Sequence, residues 1–133
     1  LDQTMRQRRL WLIRAAIGPS SLGACARFYH TEAIGCNSMI YPSPDAHIPS
    51  PGCKSVKAED DVPVLPLEQL LVRIPRQVKR ILLRVDAQGM DLQVLASGGD
   101  HLRRIEEVAV EVQDDSDENL LYSSAGNKST ILG

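Results

Sequence analysis

The stretch RILLRVDAQGMDLQVLASGGDHLRRIEEVAVEV, residues 80–112, decides the fold class. Residues 80–86 form a nearly continuous apolar run, the pattern of a strand buried on both faces of a sheet. Gln88 and Gly89 turn the chain into a helix over about residues 90–97, where Leu92, Leu95 and Ala96 stand at i, i+3 and i+4. Gly98 and Gly99 close that helix. Residues 107–112 (EVAVEV), rich in β-branched side chains, read as a second strand. Strand, helix and strand together have the size of one βαβ unit, about 30 residues. Such a crossover makes the two strands parallel and right-handed.

Working outward, Val62-Pro63-Val64-Leu65 reads as a short extended stretch, because Pro63 and Pro66 each push the preceding residue away from helical geometry. Pro66 then opens a helix running through Leu67, Leu70 and Leu71 to Arg73, and Pro75 stops it. Residues 42–57, with Pro42, Pro44, Pro49, Pro51 and Gly52, read as a long loop of the kind that is often functional or mobile. Further upstream, residues 10–17 (LWLIRAAI) are an apolar run of strand length, halted by Gly18-Pro19-Ser20-Ser21. Residues 24–31 alternate Ala24, Ala26 and Phe28 with Cys25, Arg27 and Tyr29, which predicts a half-buried strand and a hairpin with residues 10–17. Residues 1–9 are polar and basic and suit the tail of a surface helix. Because the chain starts at Leu1 rather than methionine and ends at Gly133 without a closing element, both ends read as cut.

Composition narrows the function classes. Aromatic residues are only 4% of the chain, so the core must be aliphatic. Fifteen basic residues against 17 acidic ones give a net charge of -2, too balanced for a field that draws the chain to nucleic acid. Arg6, Arg8, Arg9 and Arg14 cluster early, but no stacking aromatics interleave with them, so they read as a solvated helix face. No apolar run approaches the length of a membrane span and no signal-peptide pattern is visible. Cys25, Cys36 and Cys53 are odd in number and widely spaced, which predicts no disulfide framework and, by default, a soluble protein of a reducing, cytoplasmic compartment.

In open parallel α/β sheets, ligands bind beyond the carboxyl ends of the strands. That rule selects Asp86, Ala87, Gln88 and Gly89 after the first strand, Gln113 and Asp114 after the second, and Ile17 and Gly18 if residues 10–17 run parallel to these. A carboxylate ending an apolar strand sits at the rim of the core, where burial and nearby N–H groups tune its proton affinity. Asp86 equally suits a helix cap, and the two roles are compatible. Gly89 is explained by a tight strand-to-helix turn, and Asp91 by a favourable place in the first helical turn. The run Asp114-Asp115-Ser116-Asp117-Glu118 reads as a solvated loop. His30, Cys36, His47 and Cys53 are chemically suited to zinc, but they lack the short Cys-x-x-Cys or His-x-x-x-His pair that structural zinc sites contain, so no metal is expected. There is no G-x-S-x-G, no P-loop and no G-x-G-x-x-G, which removes the nucleophile-elbow, phosphate-cradle and dinucleotide readings.

Residues 82–113 carry a resemblance. Arg84-Val85-Asp86-Ala87-Gln88-Gly89, followed by Leu92-Gln93-Val94-Leu95-Ala96-Ser97-Gly98 and a strand ending in glutamate and an apolar residue, is similar to the FkbM-type methyltransferases. That family has a K-I-D-[VA]-[EQ]-G-like strand end followed by a v-L-k-G-a helix. Residues 64–71 look like the extended stretch and short helix before that strand, so the main resemblance covers residues 62–113. Ala15-Ala16-Ile17-Gly18, Gly23 and Phe28-Tyr29 look like the family's earlier strand and hairpin, and Cys36-Asn37-Ser38-Met39-Ile40 like the serine-containing segment after it.

The resemblance implies an α/β architecture: a partial Rossmann-like methyltransferase fold over residues 1–133, mostly parallel, lacking its amino-terminal strands. It implies S-adenosylmethionine as methyl donor and a small-molecule acceptor, usually a hydroxyl oxygen of a sugar or polyketide. Carried onto this chain, Asp86, Gln88 and Gly89 would lie beside the transferred methyl, and Ala16, Ile17 and Gly18 near the adenine end. Arg84 stands where lysine is usual and Gln88 where glutamate is common. Gln88 cannot act as a base, which leaves Asp86 as the motif's carboxylate for proton work, or for orienting the cofactor. The family's glycine-rich first loop and acidic ribose-binding residue have no counterpart in residues 1–133, so cofactor binding that is weak or absent, and no activity of these residues alone, are expected. A sheet lacking its central strands leaves apolar faces and edges uncovered, which predicts poor solubility. The competing expectation is a non-catalytic or decayed α/β module that binds no cofactor.

Overall fold

The computed structural model describes residues 11–45 and 50–111. Among them the elements run β1 (Ala16–Ile17), β2 (Cys25–Thr31), β3 (Val56–Leu65), α1 (Leu67–Leu71), β4 (Leu82–Val85), α2 (Asp91–Ala96) and β5 (Glu107–Val110), with short 3-10 turns between several of them. Residues 1–10, His47, Val112, Gln113 and the acidic run 114–118 lie outside the described residues.

The βαβ unit has the parallel pairing read from sequence. β4 pairs with β5 in parallel, with Leu82 opposite Glu107 and Val85 opposite Val110. Its burial differs from the expectation of two covered faces. Leu83 and Val85 turn inward, while Leu82, Arg84, Glu107 and Ala109 lie exposed on the other face, Leu82 at 61%. The run of apolar letters hid this because Leu82 is apolar yet solvated. The helix α2 also turns a different face inward than Leu92, Leu95 and Ala96 suggested: Asp91 and Val94 are buried and Ala96 is exposed.

A second, three-stranded sheet has the order β1-β3-β2. The expected hairpin between residues 10–17 and 24–31 does not form. β3 lies between them, parallel to β1 and antiparallel to β2. Opposite charges meet across the β2–β3 ladder. Arg27 on β2 bonds Glu59 at 2.8 Å and Asp61 at 3.1 Å, and His30 meets Asp60 at 2.9 Å, whereas residues 11–17 carry no acid to pair with. The same pairing lengthens β3 to ten residues, beyond the four-residue stretch 62–65 and into the expected loop 42–57. β1 is short because its ladder on β3 begins at Val64. The next residue back, Pro63, has no N–H to donate and sits where that side of β3 is an edge. Trp11, Leu12 and Ile13 consequently remain exposed, at 82%, 62% and 49%.

The core consists of two aliphatic clusters. Leu67, Leu71 and Ile81 form one and Val85, Met90 and Val94 the other, and Ile17 and Leu83 pack against both. Each large side chain fully buried in this way stabilises by about 1.5–3 kcal/mol. Leu67 and Leu71 reach the core together because they stand at i and i+4 on α1. The open backbone groups of this short helix are met from outside it. Ser97 accepts at its Oγ from the Leu67 N–H (3.0 Å) and at its carbonyl from the Glu68 N–H (3.0 Å). At the other end, Arg104 donates to the carbonyls of Leu71 (2.5 Å) and Ile74 (2.9 Å). The chain is therefore a small mixed α/β domain whose two sheets each contain parallel strands.

Among the described residues, no helix is long and apolar enough to cross a membrane. The expectation of free cysteines is corrected: Cys36 and Cys53 form a disulfide with a Cα–Cα distance of 5.2 Å, and only Cys25 is free. The long connection folds back on itself, with the Ala33 N–H donating to the Gly52 carbonyl and the Glu32 N–H to the Ser55 carbonyl. This brings together two cysteines whose spacing in sequence carried no signal. The inference from free thiols to a reducing compartment falls with that correction.

Candidate functional site

β4 ends at Val85, so Asp86 emerges at the carboxyl edge of the β4–β5 pair, followed by a tight turn. Gln88 in this turn has φ 46° and Gly89 φ 96°. Gly89 is suited to that left-handed geometry, whereas Gln88 adopts it against its own preference. Three contacts hold the turn. The buried Asp91 carboxylate accepts from the Ala87 N–H (3.1 Å) and the Gly89 N–H (3.3 Å). Ser38, only 1% exposed, donates from Oγ to the Gln88 carbonyl at 2.7 Å. Asp86 does not cap α2, whose N-cap residue Met90 makes no side-chain cap bond, and the Asp86 carboxylate faces outward.

What Asp86 faces is a second carboxylate. Gln88 Nε2 donates to Asp86 Oδ1 at 2.8 Å and to Glu111 Oε2 at 2.9 Å. Glu111 follows β5 directly and therefore reaches the same edge as Asp86. Their proton affinities are pushed apart. The hydrogen bond from Gln88, then that shared with Glu111, hold the Asp86 carboxyl below its usual value, aided by the charge on Arg84 and opposed by desolvation. The Glu111 carboxyl is raised, chiefly by its hydrogen bond with Asp86, then by desolvation and by the negative charges of Asp86 and Asp91. Both carboxyls are largely solvated, so water screens these effects.

A cleft of about 380 Å³ opens beside this edge, its wall including Ala16, Ile17, Phe28, Met39, Asp86 and Ala87. That is within the range of small-ligand sites, about 300–1,000 Å³. A smaller cavity of about 280 Å³ lies between Asp86 and Glu111, lined by the ends of β4 and β5. Ala16 and Ile17, read from sequence as binding residues, thus share the cleft with Asp86. Gly18, Gln88 and Gly89 do not line it. Gly18 is buried against Leu22 and Met39, where an added Cβ would come to 3.1 Å of Leu22 Cδ1. Gly89 is buried in the turn, and Gln88 acts through its side-chain amide.

Glu111 is the residue that sequence reading passed over. The strand-edge rule that chose Asp86 would have chosen it too, had the second strand been ended at Val110 instead of Val112. Gln113 and Asp114, selected in its place, lie outside the described residues. Of the zinc candidates, Cys36 and Cys53 are committed to each other, and His30 faces Asp60. Among the described residues no group of three or more potential metal ligands comes together.

Comparison of the chain with protein-family models, with curated proteins and with solved structures finds no match in any of the three.

Proposed function

We infer that this chain carries the acceptor side of an S-adenosylmethionine-dependent methyltransferase of Rossmann-like type, acting on a hydroxyl oxygen of a sugar or other small molecule. The observation that supports it most is the joint placement of Asp86, Ala16 and Ile17 around one cleft at the carboxyl edge of a strand in the motif Arg84-Val85-Asp86-Ala87-Gln88-Gly89. Parallel α/β sheets place ligands at that edge. An ionised Asp86 complements the positive charge of a sulfonium, while Arg84, which lines the same cleft, opposes it. Asp86 is the one carboxylate among the residues lining the cleft. No second acid is there for a ribose, and binding by these residues alone is expected to be weak.

S-adenosylmethionine, when bound, supplies an electrophilic methyl group. The chain's own residues then have two tasks. Ala16 and Ile17 would form the wall that holds the cofactor's adenine end, contributing through alignment of the reacting atoms. Asp86, held in place by Gln88, orients the sulfonium or takes the hydroxyl proton. Incubating the protein with millimolar methyl-labelled cofactor and a panel of sugar and phenolic acceptors tests the reading. Transfer that is lost in Asp86→Asn supports it, and the absence of both transfer and any cofactor binding at millimolar concentration argues against it.

A second reading, a non-catalytic α/β module, is favoured by the exposed apolar residues Trp11, Leu12, Ile13 and Leu82. It predicts no response to the cofactor at all.

A further inference from the structure

We propose that Asp86 and Glu111 act as one proton-handling pair clamped by Gln88, in which Glu111 is the member that takes up the proton. The inference deepens the methyl-transfer reading and depends on it only for the identity of the proton's source, an acceptor hydroxyl.

The geometry comes from the sheet. Because β4 and β5 are parallel and in register through Val85 and Val110, the residues that follow them arrive side by side. Here those residues are Asp86 and Glu111. Two carboxylates placed together repel, and an ordinary surface would let them rotate apart. The Gln88 amide instead donates to both, at 2.8 and 2.9 Å. Gln88 is in turn fixed by its backbone, with φ 46° and its carbonyl bonded to buried Ser38. A residue held in left-handed geometry without being glycine is strained, and it persists only where its surroundings over-determine it. At this position the geometry aims one amide at two acids. The cavity between Asp86 and Glu111 leaves the pair open to a small molecule.

The asymmetry within the pair follows from its neighbours. The hydrogen bonds from Gln88 and with Glu111 favour the charged form of Asp86, with a smaller contribution from the charge on Arg84. Glu111 is raised first by its hydrogen bond with Asp86, then by desolvation and by the negative charges of Asp86 and Asp91. When a hydroxyl approaches, its O–H bond breaks, the proton passes to a Glu111 carboxylate oxygen, and the electron pair stays on the acceptor oxygen. That oxygen would form the new O–CH3 bond as the methyl–sulfur bond of the donor breaks and its electron pair returns to sulfur, leaving a neutral thioether. Asp86 stays ionised throughout. Splitting two adjacent carboxyls into a stronger and a weaker acid is a recurrent way of assigning such roles.

The test is a pH titration of carboxyl-labelled protein by NMR, comparing the native chain with Asp86→Asn, Glu111→Gln and Gln88→Ala. The native protein should show Glu111 titrating above, and Asp86 below, the exposed carboxyls. Asp86→Asn should bring Glu111 back towards the ordinary range, and Glu111→Gln should do the same for Asp86. Gln88→Ala should raise both. A Glu111 that titrates like any exposed glutamate and ignores Asp86→Asn would overturn the proposal, as would an Asp86 that titrates above it. The titration needs no cofactor, so a failure of the methyl-transfer reading would show separately, as absent cofactor binding.

Discussion

Ser38 and Gln88, 50 residues apart in sequence, are joined by a 2.7 Å hydrogen bond from the serine hydroxyl to the glutamine carbonyl. The same Oγ accepts from the Ile40 N–H at 3.0 Å. One buried hydroxyl therefore ties the segment after β2 to the turn that carries Asp86. Ser38→Ala would leave the Ile40 N–H without that acceptor and release the Gln88 carbonyl. We expect a loss of about 1–3 kcal/mol, read by urea unfolding, with faster amide exchange at Gly89 and Ile40 than in β2.

Asp91 holds the same turn through its side chain. Its buried carboxylate accepts from two backbone N–H groups, so Asp91→Ala should cost about 1–3 kcal/mol. Asp91→Asn keeps an acceptor oxygen and should cost less. An alanine variant as stable as the native chain would mean that the Ala87 and Gly89 N–H groups have other partners.

The Cys36–Cys53 bridge closes a loop of sequence separation 17. Chain-entropy arguments assign about 3 kcal/mol to a loop of this size. Reduction by dithiothreitol, or the double Cys36→Ser and Cys53→Ser variant, should lower stability by up to that amount. Amide exchange should quicken around Ile34–Cys36 and Pro51–Cys53 while β4 and β5 keep their protection. A thiol titration finding three free cysteines in the untreated protein would contradict the bridge.

Stability should follow pH in opposite senses for the two carboxyls of the site. The Asp86 carboxyl is lowered from 3.8, so its contribution is present above that value and is lost as pH falls through the folded value. The Glu111 carboxyl is raised from 4.5, so its contribution is complete below 4.5 and is lost as pH rises through the folded value. Glu111→Gln removes the second loss. Its stability relative to the native chain should therefore increase between pH 4 and pH 7, a change that urea unfolding at the two values would detect. A pH-independent difference would show that Glu111 is not coupled to Asp86.

Much of the βαβ unit was legible because its signals are local. An apolar run ending at Asp86, a turn with Gly89, and a β-branched run from Glu107 each declare themselves within a few residues. The other sheet was not legible in the same way. β3 is held by Glu59, Asp60 and Asp61 opposite Arg27 and His30, and a hydrophobic-period reading cannot see a strand made of charges. Its insertion between β1 and β2 is a long-range choice that no turn signal encodes. At the site, Asp86, Ala16 and Ile17 were reachable from the strand-edge rule. Glu111 was missed through a two-residue error in a strand end. Ser38 was seen only within a resembling segment, since its role depends on a contact across 50 residues.

We propose that the carboxyl edge of β4, with the β1 residues that line the same cleft, holds a sulfonium cofactor. Titrating the ¹⁵N-labelled protein with S-adenosylmethionine up to millimolar concentration tests it most directly. Saturable shifts are expected at Ala16, Ile17, Asp86 and Ala87, with affinity weaker than micromolar and reduced in Asp86→Asn. Shifts confined to the β2–β3 ribbon, or none at any residue, would contradict it.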